Sequence, residues 1–387
     1  MNRVIVIGAD HYNTLWLVRS LGMERFYVTV IIINPDSDKS FVCKSRYCKE
    51  AYIVSDYDEM IHLLCELSFC YKVPVFASGD AGAVALDESY DLLSQKYILH
   101  HCKNEQGGIK YWMDKSNMLS LAKDVGINIP FSLSVDLNKG SLNYELIPFP
   151  CLIKPEVSAT SSKNSFRICS DIEQLKQAVN DIRKDCAKVL IQEYVKRDYE
   201  YLVYGVSTGD EIILPGGLTK VHTCKDSKNL GMASYAYLSD EIPKQLKNFD
   251  SIKSFIRKMG YCGLFSIEFM ITKDKAYFLE INLRNDGTCY FTTQAGVNIP
   301  ALWALNAFGK DTSSLRKSLI RARTYGMNEI NYVKYTLKAQ SLVASIKEML
   351  YARAFSLCKW NDILPVFAKI YYGAWDTILQ NKRPNEN

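Results

Sequence analysis

The 387-residue chain has no apolar run near the roughly 20 residues that a bilayer-crossing helix requires. Its opening, MNRVIVIGAD, meets Asp10 before the apolar core of an export signal could form. Neither a membrane span nor secretion is expected, and the expected location is the cytoplasm. Cys-x-x-Cys is also missing. The 12 cysteines are scattered, with only the loose pairs Cys43/Cys48 and Cys65/Cys70, which argues against a dense disulfide scaffold and fits reduced thiols. The adjacent His100, His101 and Cys102 have no second cluster to complete a metal site. The first strand-to-helix turn, GADHYN, holds one glycine where Gly-x-Gly-x-x-Gly would let a backbone approach a dinucleotide pyrophosphate, so NAD is not expected there. A strong excess of one charge is absent as well: 47 basic against 42 acidic residues give +5, which gives no sign of nucleic-acid binding.

What is present is a globular composition, 48% hydrophobic and 12% aromatic, enough to bury cores in two or three domains. The start alternates β-branched runs (RVIVIGAD, YVTVIIINP, VPVFASGD) with helical periodicity, which predicts a parallel sheet covered on both faces, a Rossmann-like unit over residues 1–112. A helix capped by Asp114 or Ser116 and ended by Gly126 opens a small α+β unit over 113–198, with strands in PFPCLIKPE, NSFRICS and KVLIQEYV. A strand-rich unit follows over 199–330. It carries a hairpin around STGDE, a loop-like stretch KVHTCKDSKNLGMAS, and a helix from Ser251 to Lys258. Residues 331–387 form a basic, aromatic, helical tail, whose eight lysines and arginines against four acids hold +4 of the net charge.

Near the end of the third unit, AYFLEINLRNDG places Tyr277, Leu279, Ile281 and Leu283 on one face of a strand and Phe278, Glu280, Asn282 and Arg284 on the other. The preceding strand, LFSIEFMI, puts Glu268 on a face with Ser266 and Met270. A two-residue turn at Lys273-Asp274 would pair Glu268 with Leu279, whereas a three- or five-residue loop would set the carboxylates opposite or diagonal, and the longer loop is expected. Facing carboxylates on an apolar hairpin repel one another unless a cation lies between them. A divalent cation such as Mg²⁺ suits Glu268, Glu280 and the Asn282 carbonyl. The plain alternative is a solvated sheet face with a surface ion pair. Phosphates would accompany such a metal and call for lysines. Lys154, in an apolar strand that holds an unpaired ammonium poorly, and Lys115 are the candidates. The hydroxyl-rich VSATSSKNS suits folding over phosphates.

The ordered set Lys115, Lys154, loop, Glu193 with Glu200, then Glu268, Glu280, Asn282 and Arg284 resembles the ATP-grasp superfamily of ligases over about residues 1–300. Within it, the chain is similar to carbamoyl-phosphate-synthase-like and D-aspartate-ligase-like carboxylate–amine ligases. The resemblance implies an ATP-grasp fold of mixed α/β and α+β character, with a Rossmann-like first domain and lid and metal-bearing subdomains. It further implies ATP with one or two Mg²⁺ ions, for which Mn²⁺ can substitute. By resemblance Lys115, Lys154, Ser161 and Lys163 contact phosphates, the main chain of Glu193, Tyr194 and Val195 reads the adenine edge, and Glu200 accepts from the ribose. Glu268, Glu280 and Asn282 hold the metal; Arg284 stabilises the transferred phosphoryl group; Lys220 contacts phosphate and His222 substrate. The segment NDGTCYFTTQAGVNIP lines the acceptor side, with Asn285 and Cys289 nearby. Two departures stand out: residues 158–163 hold no glycine where many relatives are glycine-rich, and Leu283 replaces the usual proline of Glu-Ile-Asn-Pro-Arg.

The activity implied is ATP-dependent joining of a small carboxylate to an amine through an acyl phosphate, releasing ADP and phosphate, with residues 158–165 as a lid. Two readings stay beside it: carbamoyl-phosphate-synthase-like carboxylation or phosphorylation of a small molecule, and nucleotide binding without catalysis. The partners expected are the two small substrates, including a cell-envelope or lipid-linked precursor, and a second copy in a homodimer. In the tail, Trp360, Phe367, Tyr371, Tyr372 and Trp375 among lysines suit either an anionic membrane surface or packing on the chain's own ATP-binding unit, with Pro365 dividing the tail into two short helices.

Overall fold

The computed structural model describes residues 2–138, 142–155, 166–183, 186–224, 231–247, 249–316 and 323–380, with backbone alone for 314, 316 and 374–380. Five parallel strands come first: β1 (Arg3–Ala9), β2 (Tyr27–Ile33), β3 (Cys48–Val54), β4 (Val73–Ala77) and β5 (Tyr97–Ile98), in the order β3-β2-β1-β4-β5. Their apolar runs are continuous because helices cover both faces. Val4, Val6, Val28 and Val30 face helix Tyr12–Met23, while Ile5, Ile7, Ile31 and Val75 face the opposite side. Chain order reverses between β1 and β4, and the turns after both strands therefore open onto one crevice at their carboxyl ends. The lone Gly8 serves this junction: a Cβ there would fall 1.9 Å from Ser78 Oγ and 2.6 Å from Thr14 Oγ1. Asp10, next in the turn, accepts from Ser40 Oγ at 2.6 Å and from the Phe41 and Val42 amides at 3.2 Å, fixing a neighbouring loop.

A two-residue strand, β6 (His101–Cys102), leads into helix Lys115–Asp124, which Asp114 caps by accepting from the Ser116 and Asn117 amides. The small sheet is β7 (Ser132–Asp136), β8 (Cys151–Pro155), β9 (Arg167–Cys169) and β10 (Lys188–Glu193), antiparallel in the order β7-β10-β8-β9. Helix Ile172–Ile182 covers one face of it with Leu175, Val179 and Ile182. The other face is left for the cleft.

The large sheet holds β11 (Tyr199–Ser207), β12 (Ile212–Thr223), β13 (Ala233–Ser239), β14 (Tyr261–Ile271), β15 (Ala276–Asn282), β16 (Thr324–Met327) and β17 (Ala352–Phe355), with β6 attached to β14. The hairpin expected at STGDE is the β11–β12 turn, closed by Thr208 N–H donating to Glu211. β12 runs on through Thr223, so Lys220 and His222 stand on a strand and not in the loop expected there. No described helix is long and apolar enough to cross a membrane.

The tail departs from the helical expectation in two ways. It supplies strand β17, parallel to β16, and Pro365 opens the single helix Leu364–Gln380 instead of dividing it. Proline is tolerated in a first helical turn because those amides lack intrahelical acceptors anyway. The tail is also tied inward: Trp16 Nε1 donates to Ser356 O at 2.6 Å, and the Glu329 carboxylate accepts from the Ser356, Leu357 and Cys358 amides. Residues 356–358 are thereby packed on the body of the protein.

Candidate active site

The hairpin that carries the acidic residues is built differently from its expectation. Thr272 N–H donates to Lys275 O, so the connection is the short Lys273-Asp274 turn, and near it Phe269 pairs with Phe278. That register alone would set Glu268 against Leu279. A bulge past Phe278 advances β15 by one residue and brings Glu268 opposite Glu280 and Ser266 opposite Asn282. Strict alternation is lost there: Phe278 and Ile281 both enter the core beneath helix Asp250–Met259, and Leu279 and Glu280 both line the cleft. The two carboxylates do meet, through a bulge rather than a longer loop.

A cavity of about 890 Å³ lies between the small and large sheets, at the crevice of the first sheet. Its walls gather Lys115 and Lys154 from one side, Glu200 and Lys220 from the middle of the large sheet, Glu268, Glu280, Asn282 and Arg284 from the hairpin, and Tyr12, Asn13 and Asp80 from the switch point. Residues as far apart in the chain as Tyr12 and Arg284 are thus brought to one space.

Lys154 Nζ donates to Gln192 Oε1 at 3.2 Å and has no acid in contact among the described residues. Burial, with the like charge of Lys115 adding to it and Glu280 opposing, pulls its ammonium down to about 8. It is a cation in need of an anion. Glu200 is held by Arg197 Nη2 at 2.8 Å and by Lys220, whose ammonium also lies 3.7 Å from Glu268 and donates to Gly231 O at 3.0 Å. Burial disfavours the Lys220 charge, but Glu268 and Glu200 outweigh it and raise its proton affinity.

Glu268 is pushed up to about 7, by burial first, with Lys220 pulling down and Glu280, Asp286 and Glu200 pushing up. Its side chain keeps a proton that the unfolded chain releases near 4.5, so its contribution to stability is full below about 4.5 and declines as pH rises to about 7. Glu268→Gln should therefore flatten the fall in melting temperature across that window in metal-free buffer. Parallel slopes for the two proteins would refute the assignment.

Arg284 grips Asp80 with two bonds, Nε to Oδ1 at 2.7 Å and Nη2 to Oδ2 at 3.1 Å, and donates to Asn282 Oδ1 at 3.1 Å. Burial works against its charge, yet Asp80 and Asp286 raise its proton affinity further. Asp80 stands at the start of helix Asp80–Glu88, with its side chain half exposed, and ties the first sheet to the hairpin. Its carboxylate occupies the guanidinium fork as an internal anion.

Not every expected residue joins this space. Glu193, Tyr194 and Val195 lie off the cavity wall: the Glu193 and Tyr194 amides donate to Phe131 O and Pro150 O, each at 2.9 Å, and Arg197 reaches the wall instead. His222 turns away from the cavity, with Nε2 2.9 Å from Glu348 Oε1 of the tail. Asn285 is buried, donating to Asn13 Oδ1 at 2.7 Å, and Cys289 packs in the core. From their segment Asp286, Gly287, Thr288 and Phe291 line the cavity. Ser161, Lys163 and the whole 158–165 lid fall outside the described residues. Sequence reading missed Asp80, Arg197 and the His11–Asn13 turn; the Gly79-Asp80 end of VPVFASGD, following a second switch-point strand, was the available signal for Asp80.

Among the described residues no three His, Cys, Asp or Glu groups assemble a metal cluster. The Glu268–Glu280 pair is completed by the Asn282 amide, and this all-oxygen donor set, with its mutual repulsion, fits a hard divalent cation.

The family described as "ATP-grasp in the biosynthetic pathway with Ter operon" matches residues 225–329, the segment that holds the hairpin and Arg284. The D-alanine–D-alanine ligase of Aquifex aeolicus (strain VF5) is 30% identical over 185 residues, 44% of this chain and 58% of the ligase. The carbamoyl phosphate synthase large chain of Saccharolobus solfataricus is 25% identical over 328 residues, 77% of this chain and 29% of the synthase. Among solved structures, the L-amino acid ligase from Bacillus licheniformis superposes with a TM-score of 0.62 at 14% identity, covering 84% of this chain and 80% of the ligase. The chain has an ATP-grasp fold, with a Rossmann-like first sheet and a tail that closes on it, and its residues 225–329 match an ATP-grasp family. Its curated relatives are named as a ligase, formyltransferases and synthases, and it spans little more than half of the first of them.

Proposed function

We propose that the chain is an ATP- and Mg²⁺-dependent ligase that joins a small carboxylate to an amine through an acyl phosphate, releasing ADP and phosphate. The observation that carries this is the facing of Lys154 and Lys115 across one cavity from the Glu268–Glu280–Asn282 set. Cations on one wall and hard oxygen donors on the other suit a triphosphate bridged by metal. Mg²⁺, when bound, would neutralise phosphate charge. The protein's own groups do the rest. Lys115 and Lys154 hold the phosphates, and the Lys220 ammonium, between Glu200 and Glu268, offsets part of the repulsion between their carboxylates. Arg284 exchanges Asp80 for the phosphoryl oxygens once substrate enters, a bidentate contact that strengthens as charge develops on the transferred group.

In chemical terms, a carboxylate oxygen takes the γ-phosphoryl group as ADP leaves. The amine nitrogen then attacks the acyl carbon, phosphate departs, and the nitrogen gives up a proton. A second chamber of about 440 Å³ shares His11, Tyr12, Met232 and Asn328 with the main cavity and is closed by Phe41, Leu357 and Lys369. It suits the side group of the acceptor. The relative named D-alanine–D-alanine ligase is in keeping with the carboxylate–amine class.

ADP release measured against a panel of amino acids and amines tests the reading; no ADP release with any of them would leave only nucleotide binding, and release that no acceptor stimulates would leave only ATP hydrolysis. Lys154→Ala should weaken MgADP binding by roughly 10- to 100-fold, the loss of a charge-assisted hydrogen bond in a buried site. Calorimetry reads this directly, and unchanged affinity would remove Lys154 from the phosphate site.

A further inference from the structure

The helix Leu342–Tyr351 is mounted with its polar side inward. Ser345 is fully buried, and Glu348 faces the body, accepting from the Tyr332 hydroxyl and from Gln340 Nε2 at 2.9 Å and pairing with His222. Outward stand Leu342, Val343, Ile346, Met349 and Leu350, with relative exposures of 69%, 78%, 49%, 39% and 74%. At 3.6 residues per turn these five fall within an arc of about 120°. Lys347 stands at the edge of that arc. A helix that hides its serine and glutamate and shows its leucines to water has its apolar face reserved for something else.

Charge indicates what. Residues 331–373 hold only two acids, and both are turned inward: Glu348 as above, and Asp362 buried against Arg19. Five of the six bases in the same stretch, Lys334, Lys338, Lys347, Arg353 and Lys369, are exposed. Outward charge over residues 331–373 is therefore of one sign around an apolar helical face. Helix Leu364–Gln380 repeats the pattern with exposed Phe367, Ile370 and Tyr371, and Trp360 before it is 97% exposed.

We propose that the tail docks the protein on an anionic lipid bilayer, with the outward face of helix Leu342–Tyr351 in the headgroup–acyl boundary and Lys338 and Lys347 on the lipid phosphates. Apolar burial supplies the grip and the lysines supply preference for acidic lipid. This surface lies outside the ligase site and stands whether or not that reading holds.

The test is co-sedimentation of the full chain with phosphatidylcholine vesicles, with and without phosphatidylserine. Binding should need phosphatidylserine and weaken with salt. Lys338→Ala/Lys347→Ala should weaken it about 30-fold, two phosphate attractions lost. Ile346→Glu/Leu350→Glu should abolish binding, with its melting temperature and MgADP affinity unchanged because both side chains face water. Equal binding to both vesicle types, no binding by the wild-type chain, or full binding by the Ile346→Glu/Leu350→Glu protein would each overturn the proposal. So would a dimer in sedimentation equilibrium that this same variant dissociates while no vesicle binding is seen, which would assign the face to a second copy.

Discussion

Glu280→Gln is expected to lower ATP turnover by about 10²–10³-fold while leaving the fold intact. The substitution keeps the size of the side chain and a carbonyl oxygen but removes the charge that, with Glu268 opposite it, makes the hairpin attractive to a divalent cation. It also relieves repulsion inside the apo protein, because Glu280 is one of the charges that push Glu268 up. The two consequences separate the metal reading from a structural one. Turnover should collapse, while melting in metal-free buffer should hold steady or improve. Wild-type turnover in a correctly folded Glu280→Gln protein would remove this residue from the metal site.

The largest expected effect on stability lies far from that site. Arg19 and Asp362 form a buried pair at 2.8 Å whose side chains are essentially sealed from solvent, and Asp362 also accepts from Ser45 Oγ and the Arg46 amide at 2.8 Å each. Arg19 in turn donates to Leu357 O at 2.9 Å. Asp362→Ala leaves a guanidinium buried without a counter-charge and two donors without an acceptor, a loss of about 3–5 kcal/mol. At a few degrees per kcal/mol for a chain of this size, the melting temperature should fall on the order of 10 °C. Combining it with Arg19→Met should recover much of the loss, since removing both charges costs less than stranding one. If the single substitution melts like wild type, the tail is not anchored as described.

Legibility followed how local each cause was. The first sheet was readable because β1 and β2 are uninterrupted β-branched runs, and burial on both faces leaves such runs no other arrangement. Asp114 could be named as a cap because a cap acts within three residues. The pairing of Glu268 with Glu280 was anticipated, but its route was not: the short Lys273-Asp274 turn forms and a bulge past Phe278 restores the register. A bulge depends on how Phe278 and Ile281 both fit the core under helix Asp250–Met259, which no alternation pattern contains. The helical tail was read from aromatic and basic composition, yet β17 and the position of Pro365 depend on a free edge at β16. The grip of Asp80 on Arg284 joins residues 204 positions apart and leaves no local trace in either.

By itself, the sequence determined most element types of the first two units, the parallel first sheet, the ordered series of lysines and carboxylates, and thereby the ATP-grasp fold. These follow from local periodicity and from residue chemistry that survives any packing. Only the tertiary structure decided which of those residues share the cavity: Arg197 in place of the Glu193–Val195 backbone, His222 turned to the tail, and Asp80 brought in from the first sheet. Burial decided their charge states too, because the proton affinities of Glu268 and Lys154 depend on the water excluded and the charges gathered when distant strands meet.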